Sequence, residues 1–304
     1  MHGSLILFPA LLFCFAGFYK TDCQPLPDHK EISDEQQLII GSLTGFVALE
    51  NRSSLKSRAT NSERAMARQF LSAQMKTISL VPIEHAYRMP NLNVWQDLLI
   101  RPFTGVNLYA VLPATLKSEE YVILGAHYDT ALNCPGANDN ATGVALVFSV
   151  ARMLGNLENR TKNVIIVIFD QEEEDLIGSS AFAKFVKKEN FSIHSVHTID
   201  QMGWDQDGDL AIELELPTAG LESVYKKWAN LQGVNVHVTK VNSTDHQSFR
   251  ALGYPAVGIT EEYVNNDTSP YKDSPNDTFE TVNFEYLYSS TILVYRAINE
   301  IITN

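Results

Sequence analysis

Six residues with imidazole or carboxylate side chains carry the candidate chemistry of this chain: His127, Asp129, Asp139, Glu172, Glu173 and Asp200. Most of them stand where an apolar, β-rich run ends, after residues 121–126, 164–169 and 196–199. Asp139 instead lies in a glycine-flanked turn that leads into a helical stretch. Because imidazole nitrogens and carboxylate oxygens bind borderline and hard divalent ions, this set predicts a metal site.

The spacing within the set indicates separate roles. A histidine ligand needs its second ring nitrogen held, and the Asp129 carboxylate, two residues after His127, can reach that nitrogen. Adjacent glutamates at a strand end point in different directions. One of Glu172 and Glu173 can therefore bind metal while the other meets a water molecule as its base.

Apolar strands alternate with helical patterns from residue 107 onward. The sequence predicts strands at 107–112, 121–126, 164–169, 196–200, 209–214, 235–241 and 254–259, and helices at 141–154, 179–189, 218–232 and 284–302. This alternation predicts an α/β fold, in which a mostly parallel mixed sheet is sandwiched by helices within a single domain. Ligands of such sheets bind at the carboxyl ends of the strands, which is where the candidate residues fall.

Composition limits the partners of the protein. The formal net charge is −13, which argues against binding to nucleic acid or to an anionic membrane surface. No later segment is apolar over the length that spans a bilayer, so no membrane span is expected once the N-terminal segment is removed.

The N-terminal segment predicts secretion. Residues 5–18 are almost wholly apolar but too short to span a bilayer, which is typical of a signal peptide over 1–23 followed by one domain over 24–304. Cleavage after Ala16 or after Cys23 both fit, and a short membrane anchor is the alternative. Seven Asn-x-Ser/Thr sites agree with an extracellular or lumenal glycoprotein, namely Asn51, Asn140, Asn159, Asn190, Asn242, Asn266 and Asn276.

In their order and spacing these motifs resemble the M28-type zinc exopeptidases, a family that includes aminopeptidases and glutaminyl cyclases. The resemblance covers roughly residues 58–302. It rests on H-x-D at 127–129, G-A-x-D-N-x-x-G at 136–143, a glutamate pair followed by Gly178-Ser179, and an aspartate after an apolar strand at 200. Counting back from Gly178-Ser179 selects Glu172-Glu173 rather than Glu173-Glu174 as the family's pair.

The resemblance implies two zinc ions bridged by one carboxylate. His127, Asp139 and Asp200 would hold the first ion, and Asp139 would bridge to the second, which Glu173 also serves. The resemblance further implies that Glu172 is the general base. It also implies that Asp129 orients the ring of His127.

The chain departs from the family at the last zinc ligand, which is a histidine in an H-T-x-x-D-T stretch. Aligning Asp277-Thr278 with that D-T leaves Asp273 in the position of the histidine. Three alternatives follow: Asp273 ligates a second ion that is weakly held or different, His246 replaces it, or the second site is lost. His246 and its neighbour Asp245 match a family segment that lies near the site without ligating.

Three functions compete at this stage. The leading one is a secreted zinc aminopeptidase that acts on peptides. A glutaminyl-peptide cyclase is disfavoured, because the gap between the glutamate pair and Gly178-Ser179 is the short one of the aminopeptidases. A catalytically silent binding protein on the same scaffold is the third, and Asp273 keeps it open. The oligomeric state stays unknown.

Overall fold

Continuous apolar runs form the centre of the sheet. The computed structural model describes residues 28–49, 53–90 and 103–304, and within them the strands build one eight-stranded sheet. All seven residues of the strand Asn163–Phe169 are buried, as expected for a strand covered on both faces. The strands are β1 Ile83–Met89, β2 Phe103–Leu112, β3 Glu120–His127, β4 Asn163–Phe169, β5 Ser192–Ile199, β6 Ile212–Glu215, β7 Val236–Thr239 and β8 Ala256–Glu261.

The sheet is mixed, with a parallel centre. Its strand order is β1-β2-β4-β3-β5-β8-β6-β7. The pairs β3–β4, β3–β5, β5–β8 and β6–β7 are parallel, whereas β1–β2, β2–β4 and β6–β8 are antiparallel. The predicted fold class, a mostly parallel mixed sheet between helices, is confirmed. Because β3, β4 and β5 run in parallel, their carboxyl ends meet at one edge of the sheet.

Helices cover the sheet through apolar stripes. The helices are α1 His29–Leu43, α2 Asn61–Thr77, α3 Gly143–Gly155, α4 Ile177–Lys188, α5 Ala219–Gln232, α6 His246–Arg250 and α7 Phe284–Thr303. An apolar stripe of α7 is buried at Leu287, Val294 and Ile298. These side chains join one large core cluster together with α1, α3 and the central strands. A smaller cluster under α4 covers the other face of the sheet.

Several local features differ from the sequence prediction, and β2 and β5 each begin four residues earlier than predicted. β1 and α6 were not predicted, and β6 begins at Ile212 rather than at residue 209. β1 pairs on one side only and alternates between exposed and half-buried residues, so it lacks an apolar run. α6 has only five residues, which is too short for a helical period to show.

The predicted signal segment 1–23 lies outside the described residues, as does the site Asn51. Within the described ranges, no helix combines the length and the apolar character needed to cross a membrane.

Candidate metal centre

Three donor atoms converge at the carboxyl edge of the sheet. The Nε2 atom of His127, at the end of β3, lies 3.2 Å from Asp139 Oδ1 and 3.3 Å from Asp200 Oδ1. All three side chains are buried, with His127 only 1% exposed. The strand ends therefore bring together the three residues that the sequence assigned to a first metal ion.

Asp129 contacts both the histidine and the glutamate pair. Its Oδ1 lies 3.4 Å from His127 Nδ1, which is long for a hydrogen bond. The two carboxylate oxygens accept from the backbone N–H groups of Glu172 (3.0 Å) and Glu173 (3.2 Å). Asp129 thus joins the end of β3 to the turn after β4, and it limits how far His127 can move relative to the glutamates.

The acidic run after β4 divides into site residues and structural residues. Glu172 Oε2 approaches His127 Nε2 to 3.9 Å. Glu173 groups instead with Asp139, and its Oε1 accepts from the Ala131 backbone N–H at 3.1 Å. Glu174 points away from the metal ligands, because it pairs with Arg64 at 3.5 Å and its side chain is 41% exposed. The geometry favours the register Glu172-Glu173 over Glu173-Glu174.

A second donor group consists of Asp139, Glu173 and Asp273, whose ligand atoms lie within 4.8 Å of one another. A lysine that the sequence motifs did not indicate lies beside this group. Lys272 Nζ lies 3.6 Å from Asp139 Oδ2. The same oxygen accepts a hydrogen bond from Gln201 Nε2 at 3.1 Å. The Asp139 oxygen that does not face His127 therefore already contacts an amide and an ammonium group.

The turn that carries Asp139 is held from the far end of the chain. Asp277 is fully buried and accepts from the backbone N–H groups of Asn138 (2.8 Å) and Asp139 (3.0 Å). Gly136 begins the turn at φ +64°, where an added Cβ would lie 2.2 Å from Thr130 Cγ2. The sequence comparison with the family motif located Asp277 but did not indicate its role. The structure shows that Asp277 holds the backbone of the turn that carries Asp139.

Asn140 lies inside this turn and has no solvent access. Its side-chain amide donates to the Ile199 carbonyl at 2.8 Å, and the residue is 0% exposed. A glycan has no room there, so this Asn-x-Thr site is expected to stay unmodified.

Arg58 ties the N-terminal region to the site. This guanidinium is fully buried and donates to the carbonyls of Leu43, Tyr128, Pro135 and Gly136 at 2.6 to 2.9 Å. The acceptors come from α1 and from both ends of the loop between His127 and Asp139. Nothing in the local sequence distinguishes this arginine, because its partners are distant in the chain.

Asp245 and His246 lie near the centre but outside both donor groups. His246 Nδ1 contacts Thr244 Oγ1 at 2.8 Å and Glu215 Oε2 at 3.5 Å. Burial lowers the pKa of His246 to about 4, so this imidazole is neutral. Burial raises the pKa of Asp245 to about 7. The charge of His127 acts to lower this pKa, and the charge of Asp200 acts to raise it.

The electrostatics of the site call for a cation. Burial acts to lower the pKa of His127, but the charge of Glu172 and contacts with three aspartates raise it well above its ordinary value. Burial, followed by the neighbouring Asp139, raises the pKa of Glu173 to about 8. Burial likewise raises the pKa of Glu172 well above normal, although His127 opposes the shift. Carboxylates are crowded here beyond what one imidazole can balance.

The donor set fits zinc. One imidazole nitrogen and two carboxylate oxygens, all on buried residues and within 4.8 Å of one another, are ligand types that zinc accepts. Two carboxylates also face the single Nε2, which can donate a hydrogen bond to only one of them at a time.

This combination of an α/β sheet and a group of imidazole and carboxylate donors at its carboxyl edge suits a zinc-dependent enzyme. The model of Peptidase family M28 matches residues 107–297, and the chain belongs to this family. The chain is 27% identical over 199 residues to Aminopeptidase YwaD of Bacillus subtilis, across 62% of this chain but 42% of that protein. It is 25% identical to Leucine aminopeptidase 1 of Blastomyces gilchristii over 307 residues, across 92% of this chain and 75% of the relative.

Solved structures share the fold. A zinc aminopeptidase from Bacillus subtilis superposes with a TM-score of 0.78 at 14% identity, over 92% of this chain and 97% of that one. A glutaminyl cyclase from Porphyromonas gingivalis superposes with a TM-score of 0.71 at 17% identity, over 89% and 98%. Since both activities occur on this fold, the fold alone does not separate them.

Proposed function

We propose that the protein is a secreted zinc aminopeptidase that removes single N-terminal residues from peptides. The observation that carries the proposal is the convergence of His127, Asp139 and Asp200 with Glu172 beside them. The names of the relatives support aminopeptidase over cyclase, since the matched curated relatives include aminopeptidases of bacteria and fungi.

Each residue then has a role that its contacts support. His127, Asp139 and Asp200 would hold zinc, which supplies Lewis acidity and lowers the pKa of water toward neutrality. Glu172 accepts the proton of the attacking water and returns it to the leaving amine. Its side chain is 12% exposed, so it is shielded yet open to substrate. Asp129 keeps the His127 ring in place and fixes the backbone of Glu172.

We further propose one tightly held zinc ion and a weaker second site at Asp139, Glu173 and Asp273. In this view Asp139 bridges the two sites. The second site is weak because the Lys272 ammonium contacts the oxygen of Asp139 that would face it. His246 is a poorer candidate for the second site, because it belongs to neither group of donor atoms.

Secretion is part of the proposal. The apolar segment 5–18 and the six Asn-x-Ser/Thr sites other than Asn140 support an extracellular or lumenal location. Secretion by an expressing cell, with N-terminal sequencing of the mature chain, tests it.

The function is tested by hydrolysis of aminoacyl p-nitroanilides by the zinc-loaded full chain, with N-acetylated versions as controls. Release from free but not acetylated substrates is expected. Glu172→Gln should lower kcat by about 10²–10⁴-fold, the contribution of a proton-transfer group, with zinc content unchanged. The matched control Glu174→Gln removes a carboxylate that pairs with Arg64 and should keep wild-type turnover.

Other outcomes assign the alternatives. Cyclisation of peptides with N-terminal glutamine, without hydrolysis, would identify a glutaminyl cyclase. Zinc binding without turnover of either substrate would identify a binding protein. Wild-type turnover in Glu172→Gln would show that another residue is the base.

A further inference from the structure

A second acidic cluster lies outside the zinc ligands, in the loop between β5 and β6. This aspartate loop (205–209) has the sequence Asp-Gln-Asp-Gly-Asp. Asp205 Oδ1 accepts from the Gly208 backbone N–H at 3.1 Å, and Asp207 Oδ1 accepts from the Asp209 N–H at 3.1 Å. These bonds shape the loop but do not by themselves require an ion.

Two acids from a second segment, after β8, join the loop. Asp267 accepts from the Gln206 backbone N–H at 2.8 Å, which holds the segment against the loop. The carboxylates form two overlapping groups, each with ligand atoms within 4.8 Å of one another. One comprises Asp205, Asp207 and Asp267, and the other comprises Asp207, Asp209 and Glu262.

Glu262 supplies an independent sign of a missing partner. Its side chain is 2% exposed, and its Oε1 lies 3.2 Å from His237 Nε2. Its other oxygen, Oε2, is buried and has no hydrogen-bond partner among the described residues. A buried carboxylate oxygen without a partner is costly, so this atom calls for a donor or a cation.

Little positive charge lies beside the negative charge of this cluster. Within the described ranges, no lysine or arginine forms an ion pair with any of the five carboxylates, and His237 is the one basic partner. The buried Asp170, by contrast, is paired with Arg64 at 2.8 Å. Five carboxylates in two overlapping groups, with His237 as their one basic partner among the described residues, favour a bound cation.

We propose that the aspartate loop, together with Glu262 and Asp267, binds one calcium ion. The five side chains of this cluster offer carboxylate oxygens and no imidazole or thiolate, which suits a hard cation such as calcium. Alternating aspartates around a glycine are typical of calcium-binding loops. Calcium also tolerates the irregular coordination that two loops provide, whereas Mg²⁺ demands a near-octahedral shell.

The ion would stabilise one wall of the zinc centre. The ion would join the aspartate loop to the segment 262–267. Tyr263 of that segment donates a hydrogen bond of 2.6 Å from its OH group to Gln201 Oε1. Gln201 in turn holds Asp139. The proposal does not depend on peptidase activity, because calcium binding is measured directly.

Titration of the zinc-loaded full chain with calcium chloride, by calorimetry after removal of free calcium, tests the site. We expect one calcium per chain, with a dissociation constant of about 10⁻⁴–10⁻³ M as in extracellular modules. The melting temperature should rise with calcium. Asp207→Asn and Glu262→Gln should each weaken calcium binding at least tenfold with zinc content unchanged. The control Glu158→Gln, an exposed acid elsewhere, should bind as wild type.

Two results would overturn the proposal. One is the absence of saturable calcium binding by the wild type at millimolar concentrations. The other is wild-type calcium affinity in Asp207→Asn. Asp207 is exposed, so this variant is expected to fold even if Glu262→Gln does not.

Discussion

At the scale of single residues, Lys272 places a positive charge beside the candidate metal ligands. Its ammonium lies 3.6 Å from Asp139 Oδ2, and Asp273 follows it directly. Burial acts to lower the pKa of Lys272, but Asp139 and Asp200 outweigh burial and raise it, so the side chain is charged. A fixed positive charge at this position compensates part of the acidic cluster and repels a second divalent ion.

Removing that charge should strengthen the second metal site. Lys272→Met is expected to tighten binding of a second zinc at least tenfold, with the first zinc unchanged. Tenfold corresponds to about 1.4 kcal/mol, well below the ~4 kcal/mol between unit charges 4 Å apart near a protein surface. Zinc titration with a chromophoric competitor measures both sites, and Lys240→Met, an exposed lysine elsewhere, is the control. Equal second-site affinity in Lys272→Met and wild type would mean that Lys272 does not oppose the ion.

At the scale of elements, the centre depends on one irregular turn between β3 and α3. Residues 137–142 bring Asp139 to the site, and Asp277 holds their backbone from the segment before α7. Because the two segments are far apart in sequence, the backbone of Asp139 gains these hydrogen bonds only where the C-terminal part of the chain packs against the turn.

Loss of the Asp277 charge should loosen this turn. In Asp277→Asn one of the two backbone N–H groups faces an amide NH₂ instead of an oxygen. An unsatisfied buried donor costs about 1–3 kcal/mol, so thermal stability should fall. Zinc affinity should fall about tenfold if half of a ~3 kcal/mol penalty is felt at Asp139. Thermal denaturation and zinc titration measure these effects. The control is Asp175→Asn, at an exposed acid two residues after the glutamate pair, which should change neither thermal stability nor zinc affinity. Wild-type zinc affinity in Asp277→Asn would show that the turn is rigid without Asp277.

Elements and ligands differ in how far the sequence predicts them. The strand prediction 164–169 nearly equals β4, because a fully buried strand is apolar throughout. β6 was predicted too early at 209, because the aspartates before it bond the loop backbone and keep it out of the sheet. The residues proposed as ligands were found from strand ends and motif spacing. Lys272 and Gln201 were not, because their importance arises from contacts across 62 residues or more of chain.

At the scale of the whole molecule, a buried histidine links stability to pH. His197 on β5 is 0% exposed, with Nε2 3.0 Å from Ser195 Oγ and Nδ1 3.0 Å from Tyr225 OH. Burial, followed by the nearby His194, lowers the pKa of His197 to about 3 from the ordinary 6.5. The unfolded chain therefore binds a proton between these two values that the folded chain refuses.

This difference should destabilise the protein in acid. His197 favours folding fully above pH 6.5, and its contribution is lost as the pH falls toward 3. Between these two pKa values, the titration of His197 lowers the free energy of unfolding by up to about 1.4 kcal/mol for each pH unit of acidification. His197→Gln should lower stability at pH 7 yet show a shallower decline below pH 6, measured by denaturant unfolding across pH. An equal slope in variant and wild type would assign the acid sensitivity to other groups.

The hydrogen bonds of the buried Arg58 guanidinium limit how far the chain can be shortened from its N-terminal side without disturbing the site. The segment that matches the family begins at residue 107, yet Arg58 and the Leu43 carbonyl it binds precede that segment. A recombinant fragment trimmed to 107–297 would lack the side chain that clamps the loop between two proposed zinc ligands. It would also lack α1, which covers α3. The Gln36 side chain of α1 donates a hydrogen bond to Thr291 of α7. Expression designs, and any dissection of this protein into smaller parts, should therefore retain the chain from at least residue 28.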